Sequence, residues 1–358
     1  MAKEVDLHEI SRKAADLRAS DIFLKVGVKP SIRVNGSIRI LDEDYDVFTE
    51  EEMQGIVRKI MNPHQQEIFA KEHEIDLAFQ IDDVARFRAN FYRQRGTTGA
   101  VLRIIPLEIY SLDQLNMPKV IAEMAKLRQG LVLVTGPTGS GKSTTLAAII
   151  DLINSTRRTN IITIEDPIEF VHPDKLSIVT QREIGIDTES FTRSLKSVVR
   201  QSPDIILIGE MRDVETMNAA LASAETGHLV FSTVHTSSAA ETLDRIVNLF
   251  PPEQKQLICM RIAGSLKAVI SQKLVPRIDI DSRIAAVEIM ISTPSVQKLL
   301  EEGRSNQIYQ VITEGEYWGM QSMNQSLCRF AKAGIISKEE AIARAGNVTE
   351  MKQMLRRN

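Results

Sequence analysis

The chain has 358 residues, 43% of them hydrophobic and 25% charged, with a formal net charge of −3. That length predicts two domains, with three as the upper alternative. The composition excludes a disordered chain, and the lack of basic excess gives no support for a nucleic-acid binder held by gross charge. The only cysteines, Cys259 and Cys328, lie far apart. They exclude a disulfide scaffold and a four-cysteine zinc site, and they fit a reducing, cytoplasmic compartment. No apolar run approaches the roughly 18–20 residues of a membrane span. The N-terminus, M-A-K-E-V-D-L-H-E-I, lacks the apolar core of a signal peptide. Work at a membrane is therefore expected only from the cytoplasm and through partners.

Residues 1–106 read as a small α+β domain. Ile32-Arg33-Val34 and Ser37-Ile38-Arg39-Ile40 alternate around Asn35-Gly36, a pair whose tolerance of positive φ signals a two-residue hairpin. Thr49 and Glu52 have capping-box spacing ahead of Met53, Ile56, Val57 and Ile60, which predicts a helix. Strands are expected around 75–79, 86–94 and 100–105, the last stopped by Pro106. Residues 107–118 read as a linker in which the spacing of Ser111 and Gln114 predicts the start of a helix. From Leu131 the rhythm changes. Unbroken apolar runs at 131–135, 160–164, 205–208 and 229–233 alternate with amphipathic helices. Such runs belong to strands buried on both faces of a parallel sheet, so an α/β core is expected over 119–260. Residues 261–358 read as helices punctuated by glycines, with a further capping box at Ser337 and Glu340.

The sharpest motif is Gly136-Pro137-Thr138-Gly139-Ser140-Gly141-Lys142-Ser143, a G-x-x-x-x-G-K-S between a strand and the helical run that begins at Thr144 and Thr145. Its glycines let backbone N–H groups cradle phosphate oxygens, and the helix N-terminus adds partial positive charge. Lys142 is expected to reach the β- and γ-phosphates and Ser143 to hold Mg²⁺. The plain alternative is a glycine-rich turn. Next, the strand 205–208 ends in Gly209-Glu210. Glycine stands where a carboxylate for Mg²⁺ is expected, and Glu210 is placed to orient or deprotonate water, or simply to pair with Arg212. The strand 160–164 ends in Glu165-Asp166. That pair is expected at the same cleft, holding Mg²⁺ through water, unless it is only an acidic turn before Pro167. The run 229–233 has His228 before it and His235 after it. His235 falls at the C-terminal end, where it could sense a γ-phosphate by hydrogen bond; either histidine could equally be structural. Finally, Arg86, Arg88, Arg93, Arg95 and Arg103 fall within 18 positions. Arg88, Arg95 and Arg103 are candidates to reach phosphates as arginine fingers, against the alternative of a solvated sheet face.

Four segments in order, G-P-T-G-S-G-K-S-T-T-L, I-T-I-E-D-P-I-E-F, L-I-G-E-M-R-D and G-H-L-V-F-S-T-V-H-T-S-S-A-A-E-T-L-D-R-I, resemble the Walker A, Asp-box, Walker B and His-box elements of the type II/IV secretion ATPases. Within that family the chain looks most like the pilus-retraction, or twitching-motility, ATPases (PilT-like). The likeness extends from S-D-I-F-L near the start to G-M-Q-S-M-N-Q-S-L near the end. It implies a PAS-like N-terminal domain, then a RecA-like P-loop domain with a mostly parallel sheet and a helical C-terminal section. It implies a homohexameric, Mg²⁺-dependent ATPase with ATP held between the two domains. Lys142 and Ser143 would serve ATP and Mg²⁺, Glu210 catalysis, and Glu165 and His235 the γ-phosphate region, with Arg95 and Arg103 helping to close the site. Domain closure would act on an inner-membrane platform protein and the pilus machinery, placing the protein in the cytoplasm, peripheral at the inner-membrane pilus base.

The missing zinc insert and extra N-terminal region favour the retraction type over extension and secretion relatives. Retraction motors carry A-I-R-N-L-I-R-E-G-K, and Ser295 to Arg304 stands in its place. Leu299, Glu302 and Gly303 match; Gln297 and Lys298 depart. The departure leaves an accessory, PilU-like paralogue as an alternative, with a second retraction ATPase as a candidate partner. A nucleotide-regulated assembly subunit and a small-molecule P-loop kinase are the further alternatives.

Overall fold

The computed structural model describes residues 6–34, 36–105 and 108–356. The chain divides into two compact units, one of Met1–Glu108 with Glu169–Val171 and one of Ile109–Ile168 with His172–Asn358.

The first unit holds α1 (Leu7–Asp16), β1 (Asp21–Lys25), β2 (Ser31–Val34), β3 (Ser37–Ile40), α2 (Glu50–Ile60), α3 (Pro63–Glu72), β4 (Glu74–Ile81), β5 (Ala85–Gln94) and β6 (Thr97–Ile105). Its sheet has the order β3-β2-β1-β6-β5-β4, antiparallel throughout. Period-two alternation sends Phe87, Ala89 and Phe91 to one face, where they pack in a core with Ile10 and Ala14 of α1, Met53 and Val57 of α2 and Phe69 of α3. Arg88 is exposed on the other face. The expected capping box is made: Glu52 N–H donates to Thr49 Oγ1 (3.2 Å) and Thr49 N–H to Glu52 Oε2 (2.7 Å). Val34 pairs with Ser37, as the predicted two-residue hairpin requires, and Gly36 takes φ +83°. Asn35 and Pro106 lie outside the described residues. A second two-residue turn joins β5 to β6, with Arg95 at φ +49° and Gly96 at φ +78°.

The second unit opens with α4 (Lys119–Met124), then β7 (Gly130–Thr135), α5 (Lys142–Thr156), β8 (Asn160–Glu165), β9 (Ile178–Glu183), α6 (Phe191–Val198), β10 (Ile205–Ile208), α7 (Val214–Glu225), β11 (Leu229–Val234), α8 (Ala239–Asn248) and α9 (Lys255–Ser265). It continues through β12 (Leu266–Pro276), β13 (Arg283–Ile291), α10 (Pro294–Glu301), α11 (Ile308–Glu314), α12 (Met323–Lys332), α13 (Lys338–Arg344) and α14 (Val348–Arg356). The sheet order is β13-β12-β7-β11-β10-β8-β9, parallel except for the β12–β13 pair. Leu131 and Leu133 of β7 face a core shared with α7, α8 and α9, while Val132 and Val134 face one shared with α4 and α5. Burial on both faces is why these strands read as unbroken apolar runs. Among the described residues, no helix is long and apolar enough to cross a membrane.

Three expectations need correction. Ser111 and Gln114 do make the reciprocal bonds of a capping box, Ser111 N–H to Gln114 Oε1 (2.7 Å) and Gln114 N–H to Ser111 Oγ (3.2 Å), but no helix follows. Asn116 turns to φ +54°, which a helix cannot continue, and Pro118 disfavours helical geometry at Met117. Second, the section 261–358 is not purely helical: β12 and β13 complete the sheet beyond β7. Lys267, Ser271, Gln272 and Lys273 interrupt the apolar pattern of β12, so its strand character comes from pairing with β7 rather than from a legible period. Third, β9, missed in the sequence reading, is an edge strand whose outer residues meet solvent.

Phe231→Ala empties a fully buried ring from the middle of β11. The variant is expected to lose about 3–5 kcal/mol of unfolding free energy, read as a lower urea midpoint with unchanged far-UV circular dichroism in the absence of denaturant.

Candidate functional site

Strand register brings the candidate residues to one edge. Val234 of β11 lies opposite Thr135 of β7, Ile208 of β10 opposite Ser232 of β11, and Ile164 of β8 opposite Ile208. Four consecutive parallel strands therefore end together. Gly136 follows β7, His235 follows β11, Gly209 and Glu210 follow β10, and Glu165 closes β8. The carboxyl edge of such a sheet is where α/β proteins hold ligands.

The loop 136–141 turns tightly from β7 into α5. Gly136 takes φ +149°, and a Cβ there would lie 2.4 Å from Ser140 Oγ and 2.5 Å from the Gln272 carbonyl oxygen. Only glycine fits that conformation and that space. Gly141, at φ +89°, leads into α5 with no side-chain cap. The first-turn N–H groups of α5, orphans in any helix, thus face the loop with the positive end of the helix dipole behind them. Lys142 is buried, and its Nζ donates to the carbonyl oxygens of Gly136 and Pro137, both at 3.0 Å. The hydroxyls of Ser140 and Thr145 are buried without a hydrogen-bond partner. Buried donors without partners are rare; Ser140 Oγ packs against Gly136 within the loop, and Thr145 sits on the first turn of α5.

Glu210 has a side chain only 16% exposed. Its Oε1 lies 2.7 Å from Arg212 Nε and its Oε2 lies 3.7 Å from His235 Nε2. The pairing with Arg212 that the sequence allowed is present, together with the contact to His235. Burial pushes the His235 pKa below the ordinary value of 6.5, and the positive charges of Lys142, Arg212 and Arg245 push the same way, against the pull of Glu210. His235 is therefore an uncharged hydrogen-bonding group at neutral pH. Glycine at 209 has a physical reason: a Cβ there would lie 3.3 Å from both Glu165 Cα and the Ile164 carbonyl oxygen. Gly209 N–H donates to Ile164 O (2.8 Å), and its own carbonyl accepts from Thr233 Oγ1 (2.6 Å).

Glu165 is half-buried, and its Oε1 accepts from Thr163 Oγ1 (2.7 Å) and Gln181 Nε2 (3.0 Å). Asp166 is exposed and Ser143 half-buried. Among the described residues no cluster of three or more His, Cys, Asp or Glu side chains is set to hold a metal. A hydroxyl at a helix start with one or two nearby carboxylates suits Mg²⁺, which takes most of its ligands from phosphate and water. Beside Gly141 and Thr144 opens a cavity of ≈ 670 Å³, also lined by Tyr110, Asn116, Arg277 and Ile280. The 111–116 turn, read as a linker, is a wall of that cavity.

Other expected residues lie apart. His228 stands at the N-terminal end of β11, the opposite edge of the sheet, where its Nδ1 meets Ser223 O at 2.9 Å at the end of α7. It belongs to that helix end rather than to the phosphate cradle. Arg88, Arg95 and Arg103 are in the first unit. Arg88 and Arg103 are cross-strand neighbours; Arg103 Nε contacts Asp21 Oδ1 at 3.1 Å, and Arg95 is exposed in its turn. The sequence reading missed Thr163, Gln181, Thr233 and Gln272, whose Nε2 donates to Ser140 O (3.0 Å). Polar residues inside otherwise apolar strands were the available signal for Thr163 and Thr233.

Residues 4–317 match the family described as Type II/IV secretion system protein. The type IV pilus retraction ATPase PilT of Pseudomonas aeruginosa is 44% identical to this chain over 341 residues, 95% of this chain and 98% of its own. The type IV pilus ATPase PilU of the same organism is 37% identical over 98% of this chain and 92% of its own. A crystal structure of the pilus retraction motor PilT with bound ADP superposes with a TM-score of 0.91 at 41% identity, covering 98% of this chain and all of that one. The α/β architecture seen here is the fold of that ATPase.

Two outcomes follow from the site's geometry. The His235 ring should titrate with a midpoint below the ordinary 6.5, because burial and the neighbouring cations disfavour its charged form, and NMR titration of the ring resonances reads that midpoint directly. Gly209→Asp should force apart the ends of β8 and β10, lowering the unfolding free energy by about 1–3 kcal/mol in urea titration.

Proposed function

This chain belongs to the type II/IV secretion system protein family, and we propose that it is a Mg²⁺-dependent ATP hydrolase that powers type IV pilus retraction and twitching motility. The observation that carries the reading is the uncapped start of α5, with its buried lysine, set at the same sheet edge as the Glu210–His235 pair. Lys142 and the α5 N–H groups bind the β- and γ-phosphates, and Ser140 and Thr145 offer their buried hydroxyls to the same anion. The 670 Å³ cavity beside Gly141 is large enough to seat the nucleoside. Glu210 orients the attacking water and accepts its proton, while neutral His235 donates a hydrogen bond near the γ-phosphate. Ser143, Glu165 and Asp166 are the residues that would hold Mg²⁺. The metal supplies charge neutralisation for the phosphates. Arg95, Arg88 and Arg103 are the first unit's guanidinium groups for the same task; Arg103 contacts Asp21, and Arg88 and Arg95 are exposed.

The working form is a homohexamer at the cytoplasmic face of the inner membrane, acting on the pilus machinery through a platform protein. Identity of 44% to PilT against 37% to PilU supports the principal motor over the accessory paralogue. The departures at Gln297 and Lys298 on α10 support the accessory reading.

Lys142→Ala and Glu210→Gln should each lower ATP hydrolysis by about 10²-fold or more, measured as phosphate release by purified protein. Activity at the wild-type level in either variant ends the assignment. In cells, deletion should abolish twitching and raise surface piliation, with rescue by wild type and not by Glu210→Gln. Unchanged piliation would favour the accessory role.

A further inference from the structure

β13 carries one charged side chain in the apolar run 284–291, Glu288, and it is 3% exposed. A buried carboxylate is costly unless hydrogen bonds and positive potential satisfy it. Burial pushes the Glu288 pKa above the ordinary carboxylate value, and two helix N-termini oppose that shift. Ala239 N–H, at the start of α8, donates to Glu288 Oε1 at 2.8 Å, and Met323 N–H, at the start of α12, favours the charged form of the same carboxyl group. Lys273 of β12 adds charge from the diagonal position on the same sheet face. Neither helix needs Glu288 to begin. Ser238 caps α8 through Glu241 N–H, and Ser322 with Gln325 forms a complete capping box on α12. What Glu288 adds is a connection between the two helix ends.

That connection reaches the candidate site. The segment His235-Thr236-Ser237 leads directly into α8 and is tied to it. Arg245 NH1 donates to His235 O (3.0 Å), Thr236 Oγ1 and Thr242 Oγ1 lie 2.7 Å apart, and Ser237 N–H donates to Glu241 Oε2 (2.8 Å). At its other end the link is firm: Asn324 Nδ2 of α12 donates to Asn347 O (2.8 Å) and Glu350 Oε2 (2.6 Å), and Ser326 Oγ accepts from Val287 N–H (3.2 Å). We propose that Glu288 is a positioning residue that holds His235 in register with Glu210 by clamping the first turn of α8 to the C-terminal helices. The proposal rests on the reading of Glu210 and His235 as the hydrolytic pair.

Glu288→Gln is the test, because an amide presents one oxygen and one NH₂, so one of the two N–H groups loses its acceptor. In ATP hydrolysis the variant should show kcat down about tenfold with KM within about twofold. In a His235→Ala background the same change should cost nothing further. A fall of equal size in both backgrounds, or full kcat with only a lowered Tm, overturns the proposal. Should Glu288→Gln fail to fold, Arg245→Ala at an exposed position enters the same cycle and is judged by the same rule. The His235 ring titration is a readout independent of activity. The charges acting most strongly on that ring are Lys142, Glu210, Arg212 and Arg245. A midpoint moved by Glu288→Gln therefore reports a displaced ring, and an unmoved midpoint overturns the proposal. A wild-type chain without hydrolysis would end the parent reading and leave this titration as the judge of the link.

Discussion

The parallel ladder of β7, β11, β10 and β8 is the constraint on which the second unit depends. Parallel strands must return through crossovers, so both faces become covered by helices and every strand becomes apolar along its length. The same geometry sends all four carboxyl ends to one edge, with β7 and β11 running two residues past the end of β10. Four separate segments, spread over a hundred residues of sequence, thereby meet within a few ångströms. Gly209 shows how tight that meeting is. The end of β10 lies so close to β8 that a side chain at 209 would press on the backbone of Glu165. An acidic group is thus kept off position 209, and carboxylates appear one residue later, at Glu210, and one strand over, at Glu165.

Charge at that edge is arranged in opposition. Lys142 is buried and bonded to the carbonyl oxygens of its own loop, Glu210 is nearly buried between Arg212 and His235, and burial and three surrounding cations disfavour the charged form of His235. A neutral imidazole beside a carboxylate can donate or accept a hydrogen bond without adding another charge to a crowded site. The near-zero net charge of the whole chain fits this economy, because positive charge is needed only where phosphate is held.

The likeness to PilT runs nearly the whole length of both chains. Part of what holds the site together nevertheless lies outside the recognisable motifs, at Gln181 and Glu288, and part of it inside them, at Thr163 and Thr233. Thr163 and Gln181 orient Glu165, Thr233 fixes the Gly209 carbonyl, and Glu288 ties α8 to α12. Each is a polar residue within a strand, and all but Thr163 are satisfied by a partner distant in sequence. A motor that converts hydrolysis at one edge into movement needs links of this kind, since coupling travels through packed and hydrogen-bonded elements that have discrete arrangements.

The amino-acid sequence by itself determined the phosphate loop, the buried strands 131–135, 160–164, 205–208 and 229–233, and the carboxylates and histidine that follow them. These are short-range features: glycine spacing at positive φ, unbroken apolar runs, and the residue next after a strand. It also carried the hairpin around Gly36 and the capping box at Thr49, which are local hydrogen-bond patterns. Tertiary structure alone decided the rest. Ser111 and Gln114 close a turn and not a helix, because Asn116 and Pro118 redirect the chain. Polar-interrupted β12 and edge strand β9 exist because a neighbouring strand offers them a ladder. His228 and His235 flank the same strand with equal promise in the sequence, yet only His235 reaches the site, because parallel strands place function at one end and not the other. Glu288 reads as an oddity in an apolar run until two helix ends, each far from it in sequence, are seen to share its carboxyl group.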